Sequence, residues 1–226
     1  MSKAVSLQSL VAAQNPLAIQ GLFYTDKCES HLDLGSNDGR TLRGLDKATI
    51  TAVELFTPSV AVLRGEGFKA VYQADIRTIA AAFAQEQQEA DAGSAVGPLR
   101  HIFDRVTAFD VIEHIPKEDG WRLIDNIEAI AQREILLFMP IETPELEATE
   151  KWQQYRETGL SMHPTGQREL HRHLSRWAPS DLADRGYIIV HLPNFHYDGF
   201  GAFFAAKYKD PADQAAVLER VPAWAA

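Results

Sequence analysis

Apolar positions along the chain fall into short runs separated by longer stretches in which apolar residues recur every three or four positions. The short runs predict strands at His31–Leu34, Ile50–Leu55, Lys69–Gln73, Ile102–Phe109 and Glu134–Met139. Between them lie helical patterns. Thr57-Pro58 leading into Ser59–Gly65 supplies a cap, a proline in the first turn and a glycine near the end. Arg77–Ala90 is alanine-rich and unbroken, and Gly93-Ser94-Ala95-Val96-Gly97-Pro98 after it has the composition of a loop. Lys117–Arg133 carries Trp121, Ile124, Ile127 and Ile130 at helical spacing. Alternation of this kind predicts a parallel sheet with helices on both faces.

After Pro140 the pattern changes. Glu142–Trp177 is polar, rich in Glu, Arg and His, and broken by Gly159, Pro164 and Gly166, so it reads as an insertion or cap. The sheet pattern resumes with a short helix at Pro179–Arg185 and strands at Tyr187–Leu192 and Gly201–Tyr208. Pro193–Phe200 is too short for a helical crossover, so these strands are expected to be antiparallel. Pro211–Ala226 reads as a terminal helix. The expected fold class is therefore α/β: a three-layer sandwich with a mostly parallel seven-stranded sheet, an antiparallel terminal hairpin and helices on both faces. Residues 1–226 read as one domain with an N-terminal helical segment (1–28) and the insertion at 142–177.

Composition narrows the partners. A net charge of -9 and a pI near 5.3 argue against general nucleic-acid binding, which needs clustered Lys and Arg. This balance leaves a small-molecule or protein substrate as the expectation. Cys28 stands alone, so no intramolecular disulfide and no cysteine-based zinc site is expected, in keeping with a reducing cytoplasm. The first residues resemble neither a signal peptide nor a membrane anchor. No apolar run approaches the roughly 20 residues that span a bilayer. The oligomeric state is not written in the sequence.

The strongest motif is His31-Leu32-Asp33-Leu34-Gly35-Ser36-Asn37-Asp38-Gly39-Arg40-Thr41-Leu42. It reads as a strand running into a Gly-bearing turn that opens a helix, a geometry that brings backbone N–H groups to a carboxylate, a phosphate or the amino-acid tail of a cofactor. Gly35 and Gly39 remove side chains that would strain the turn or hold a ligand off the backbone. The third glycine of the dinucleotide fingerprint and the Lys-Ser/Thr of a P-loop are both missing.

Glu54 ends the second strand about 20 residues beyond Asp33, where open α/β folds place a carboxylate for ribose hydroxyls; it also reads as a plain surface carboxylate. Asp75 follows the third strand, where it suits an exocyclic amine or a helix N-cap. The fourth strand ends in Thr107-Ala108-Phe109-Asp110-Val111-Ile112-Glu113-His114. In this order and on successive strand ends, these motifs resemble the class I S-adenosylmethionine-dependent methyltransferases, over about Asp26 to Met139 and again over the terminal hairpin.

The resemblance implies S-adenosylmethionine as cofactor and a small-molecule or glycan-type acceptor. It places the backbone of Gly35, Ser36, Asn37 and Gly39 along the methionine part, with Asp33 near its amino group. Glu54 would hold the ribose hydroxyls, Leu55 would pack on the adenine, and Asp75 and the Ile76 N–H would meet its polar edge. Ala108, Phe109 and Asp110 would line the methionine side. Asn37 replaces the family's middle glycine, and Asn tolerates a left-handed backbone better than most residues.

His114 is the expected catalytic base where the nucleophile must lose a proton; it reads also as part of a helix-start pair with Glu113. His163, His171 and His173, with Glu169, fall in the insertion, but His171 and His173 would share a face only on a strand, and no metal site is expected. With Tyr155, Trp177, Phe195, His191, His196 and Tyr197 they are expected to line an acceptor pocket, although Trp121, Trp177 and Phe203 also suit core packing. Rival readings are a methyltransferase-like binding or assembly subunit without catalysis, and an NAD or nucleotide-sugar enzyme on a related fold.

Overall fold

The computed structural model describes residues 16–26, 28–91, 102–150, 153, 172–197 and 200–221. Seven strands form one sheet in the order β3-β2-β1-β4-β5-β7-β6. They are β1 (His31–Leu34), β2 (Ile50–Glu54), β3 (Ala70–Gln73), β4 (Phe103–Phe109), β5 (Ala131–Pro140), β6 (Ile188–Tyr197) and β7 (Phe200–Tyr208). The first five run parallel, and β7 is antiparallel to both β5 and β6, as the short final connection requires. The helices are α1 (Pro16–Phe23), α2 (Thr57–Gly65), α3 (Ile76–Asp91), α4 (Lys117–Ile130), α5 (Pro144–Glu147), α6 (Pro179–Ala183) and α7 (Pro211–Arg220).

Alternation along β5 shows how the layers form, because successive strand side chains point to opposite faces. Ile135, Leu137 and Met139 join one core with Ile79 and Phe83 of α3 and Leu123, Ile124 and Ile127 of α4. Leu136 and Phe138 join a second core with Phe23 of α1 and Val217 of α7. Two apolar layers thus clamp the sheet. Among the described residues no helix is long and apolar enough to cross a membrane.

Three expectations need correction. No α-helix follows the turn after β1; two 3-10 turns, Arg40–Leu42 and Lys47–Thr49, make the crossover to β2. Gly39 (φ 74°) and Gly44 (φ 87°) bracket the first of them in left-handed backbone, which leaves no room for a regular helix. The helix predicted through Arg133 stops at Ile130, because Ala131 turns extended and pairs with Phe103. In the hairpin, β6 continues through Tyr197 with an irregular register between Leu192 and Tyr197, so much of the predicted connection is strand. The loop at 93–98, the chain before Pro16 and the last residues of the predicted terminal helix lie outside the described residues.

At the amino ends of β4 and β5 sits a buried ion pair that the hydrophobic pattern does not announce. The Arg105 guanidinium bonds the Glu134 carboxylate, donates to the Thr25 carbonyl at 3.0 Å and lies 3.6 Å from the centre of the Tyr24 ring. Glu134 also accepts from the Thr25 N–H at 3.0 Å, so the pair ties the chain after α1 to the middle of the sheet. Breaking one member leaves the other charged and buried. Glu134→Ala is expected to cost about 3–5 kcal/mol, read as a lowered urea midpoint.

Candidate functional site

Parallel strands bring their carboxyl ends to one sheet edge, and four of those ends carry an acid. Asp33 is next to last in β1, Glu54 closes β2, Asp75 lies just past β3 and Asp110 just past β4. The registers Leu34 to Val53 and Leu34 to Ala108 set the first two ends and the fourth side by side. The edge therefore presents hydrogen-bond acceptors.

Asp33 is buried in a polar chain across the sheet. Thr107 donates its hydroxyl to Asp33 Oδ1, and the same hydroxyl lies 2.7 Å from Nε2 of buried His31. Burial pushes the Asp33 carboxyl up to about 6; bonds from Thr107 and Ser36 hold it down, while the nearby Glu54 charge raises it further. Burial and the Arg105 charge push His31 well below its ordinary value, keeping the ring neutral.

The turn between Gly35 and Gly39 spends four of its five N–H groups within the protein. Gly35 and Ser36 donate to the Val53 carbonyl at 2.9 and 3.0 Å, and Gly39 donates to the Ser36 carbonyl at 2.8 Å. Asn37 donates to Glu54 Oε2 at 2.7 Å, and Phe56 donates to Glu54 Oε1 at 2.8 Å. With these N–H groups paired, the turn is no open anion cradle. Its glycines also answer to packing. A Cβ on Gly35 would stand 2.1 Å from Val111 Cγ2, and one on Gly39 would meet Leu63 and Phe68 at 3.1 and 3.2 Å. Asn37 sits at φ 47°, the left-handed backbone expected of it, and its side-chain oxygen accepts from Ser59 at 3.1 Å.

Asp75 receives the Arg77 backbone N–H at 2.9 Å and the Arg77 guanidinium at 2.5 Å, so it caps α3 and holds an arginine at once. The Arg77 hydrogen bonds hold its carboxyl below the ordinary value. Arg77 reaches on to Asp119 of α4 at 3.1 Å. Leu55, beside Glu54, is 44% exposed, an apolar surface left open at the acidic edge. Ile76 packs on the first core and Ala108 is fully buried in it, while Phe109 lies edge-on to Phe138 and Phe204 in the second.

A second group lies just beyond β4. Val111, whose side chain covers Gly35, joins the acidic edge to the 3-10 turn Ile112–His114. Residues 172–178 dock onto that turn: Leu174 and Ser175 donate to the Glu113 carbonyl at 2.7 and 3.1 Å, and Ser175 Oγ donates to the Ile112 carbonyl at 3.2 Å. Trp177 is buried, donates to Ser175 Oγ at 2.9 Å, and lies edge-on to Trp121 and above Lys117. Gly120 makes the seat, since a Cβ there would stand 2.5 Å from Trp177 Cζ2.

This docking sets the His173 ring edge-on to His114, with centroids 4.9 Å apart. His173 Nδ1 bonds Glu142, and His114 Nδ1 lies 3.3 Å from the Arg172 carbonyl. Burial and the neighbouring charges of Asp110 and Glu142 push Glu113 well up. Desolvation also raises Asp110, and His173 opposes it. Asp110 itself holds a left-handed φ of 51°.

Sequence reasoning paired Glu113 with His114 but missed His173 beside them and Glu142 behind His173. Trp177 belongs to the core rather than to a pocket wall, and Phe195 packs on Phe138 in the second core. Tyr155, His163, Glu169 and His171 lie outside the described residues, as do the side chains of His196 and Tyr197.

No protein-family model matches the chain, and no curated protein matches it. Solved structures do. Magnesium protoporphyrin IX methyltransferase (ChlM) from Synechocystis PCC 6803, with bound SAH, superposes over 90% of this chain and 83% of its own, at a TM-score of 0.50 and 15% identity. The N-methyltransferase NodS from Bradyrhizobium japonicum WM9 superposes over 89% of this chain and 94% of its own, at a TM-score of 0.50 and 10% identity. The chain has the Rossmann-like fold of the class I S-adenosylmethionine-dependent methyltransferases.

The raised Asp33 carboxyl has a measurable sign. From about pH 4 to about pH 6 the folded chain keeps a proton that the unfolded chain has lost, so this group's contribution to stability falls as pH rises through that window. Asp33→Asn is expected to flatten the dependence of the urea midpoint on pH between 4 and 6. Thr107→Val should push the Asp33 titration further up in a carboxyl 13C spectrum.

Proposed function

We propose that this chain is an S-adenosylmethionine-dependent methyltransferase acting on a small-molecule or glycan-type acceptor. The observation that carries the reading is the row of carboxylates at the ends of β1 to β4. A cofactor made of an ammonium, a sulfonium, two ribose hydroxyls and an exocyclic amine is a set of donors and cations, and such a row answers it. A pyrophosphate would meet chiefly carboxylates there, the Arg77 guanidinium being already held by Asp75 and Asp119, which disfavours a dinucleotide.

Asp33 and Asp110 would face the ammonium end, beside the backbone of Gly35, Ser36, Asn37 and Gly39 and the strand end at Ala108 and Phe109. Glu54 would take the ribose hydroxyls, and exposed Leu55 would cover one adenine face. Asp75 would accept from the adenine amine while the Ile76 N–H donates to the ring. The structural neighbours support the cofactor, since one of them was crystallised with SAH.

Methyl transfer from a sulfonium is a direct displacement, so the protein's main task is to align nucleophile, methyl and sulfur. Where the acceptor is a hydroxyl or a phenol its proton must also leave, and His114 stands in the group beyond β4 that would deal with it. The acceptor would approach over the 142–177 segment.

Titration calorimetry of the unmodified protein with S-adenosylhomocysteine should show binding of micromolar order. Glu54→Ala should weaken it at least tenfold, about 1.4 kcal/mol. No measurable binding, or greater thermal stabilisation by NAD than by S-adenosylhomocysteine, would overturn the reading.

A further inference from the structure

We propose that Glu113, His114 and His173 bind one divalent first-row transition-metal ion, with Glu142 orienting His173. One potential ligand atom from each of the three residues lies within 4.8 Å of the other two. Ligand atoms about 2.0–2.2 Å from one ion stand no more than about 4.4 Å apart, so the group has nearly the size of a single site and would draw in by a few tenths of an ångström around the ion.

Two further observations point to a cation. Glu113 is 2% exposed, and its Oε2 has no hydrogen-bond partner among the described residues. A buried carboxylate oxygen left unsatisfied in a native fold calls for an explanation, and an ion is one of the few that fit. Both imidazoles, moreover, have Nδ1 against an oxygen acceptor: Glu142 for His173 and the Arg172 carbonyl for His114. In the tautomer with the proton on Nδ1, which satisfies those acceptors, Nε2 carries the lone pair that an ion would use. A carboxylate or carbonyl behind the ring is the usual outer partner of a metal-bound histidine.

Two imidazoles and one carboxylate suit zinc, cobalt, manganese or iron(II), whereas magnesium and calcium favour all-oxygen shells. Asp110 and Glu142 add negative charge around the group, and the ion would offset their repulsion with Glu113. Three protein ligands leave coordination positions open. A cavity of about 500 Å³, lined by Lys117, Glu142, His173, Ser175 and Arg176 among others, adjoins them.

The consequence for chemistry rests on the methyl-transfer reading. An acceptor in that cavity would bind the ion through an oxygen, and a coordinated hydroxyl loses its proton to water more readily than a free one. His114 then holds the ion rather than taking the proton. The acceptor class this favours carries a hydroxyl or phenol able to ligate a metal.

The full chain, stripped with a chelator and dialysed, is titrated with Co2+ and followed by visible absorption, with Zn2+ calorimetry in parallel. The expected result is one ion per chain with ligand-field bands, displaced by Zn2+ and not by Mg2+. Glu113→Gln and His173→Ala should each weaken Co2+ at least tenfold, while Glu219→Ala, exposed on α7, leaves it unchanged. The absence of saturable Co2+ and Zn2+ binding by the unmodified protein overturns the proposal, and that measurement needs no variant to fold. Binding that survives both substitutions overturns it as well. S-adenosylhomocysteine titrated in the same preparation separates the two readings: cofactor binding without the ion defeats only the metal site, and the ion without the cofactor defeats only the methyl-transfer reading.

Discussion

Four parallel strands end on one edge of the sheet, and each end carries a carboxylate. This is the constraint on which the rest of the molecule turns. Asp33, Glu54, Asp75 and Asp110 are brought together by topology, yet each must be kept from the cost of crowding. The chain meets that cost locally: Thr107 for Asp33, the Asn37 and Phe56 N–H groups for Glu54, and Arg77 for Asp75. Such partners hold the charges in place while leaving acceptor capacity, because a carboxylate has more lone pairs than these donors use. The edge is preorganised for donors and hostile to anions.

The second organising contact is the seat of Trp177 on Gly120. It fixes residues 172–178 against the 3-10 turn after β4, and it is the reason His173 meets His114 and Glu113. Lys117 anchors the same segment by bonding the Arg176 carbonyl at 2.6 Å and Asp181 at 2.5 Å. Val111, lying on Gly35, couples this second group to the acidic edge. The two groups share one wall.

Much of this was legible in the sequence, for identifiable reasons. Strand β1 falls where it was expected, since four successive buried residues between turn signals admit little else. The antiparallel hairpin followed from the length of its connection, and the left-handed Asn37 from the tolerance of its side chain. The helix after Gly39 was misread because a Gly-rich turn is a common helix start, whereas here Gly44 repeats the left-handed bend five residues on. That Gly35 also makes room for Val111 was not legible, because the contact joins residues far apart in sequence. The His114–His173 pairing was hidden for the same reason, since it depends on a tryptophan finding a gap opposite a glycine. Local pattern carries elements and caps; it does not carry which polar loop docks where.

The acidic edge can be watched directly by amide NMR. The N–H groups of Asn37 and Phe56 both donate to Glu54, so ribose hydroxyls competing for that carboxylate must move both resonances. Titration of the 15N-labelled protein with S-adenosylhomocysteine is expected to shift Asn37, Phe56 and the α3-capping Arg77 amide together, saturating at one ligand per chain. A spectrum unchanged at saturating ligand, or shifts that leave these three amides still, would contradict a cofactor site at the ends of β1 to β4.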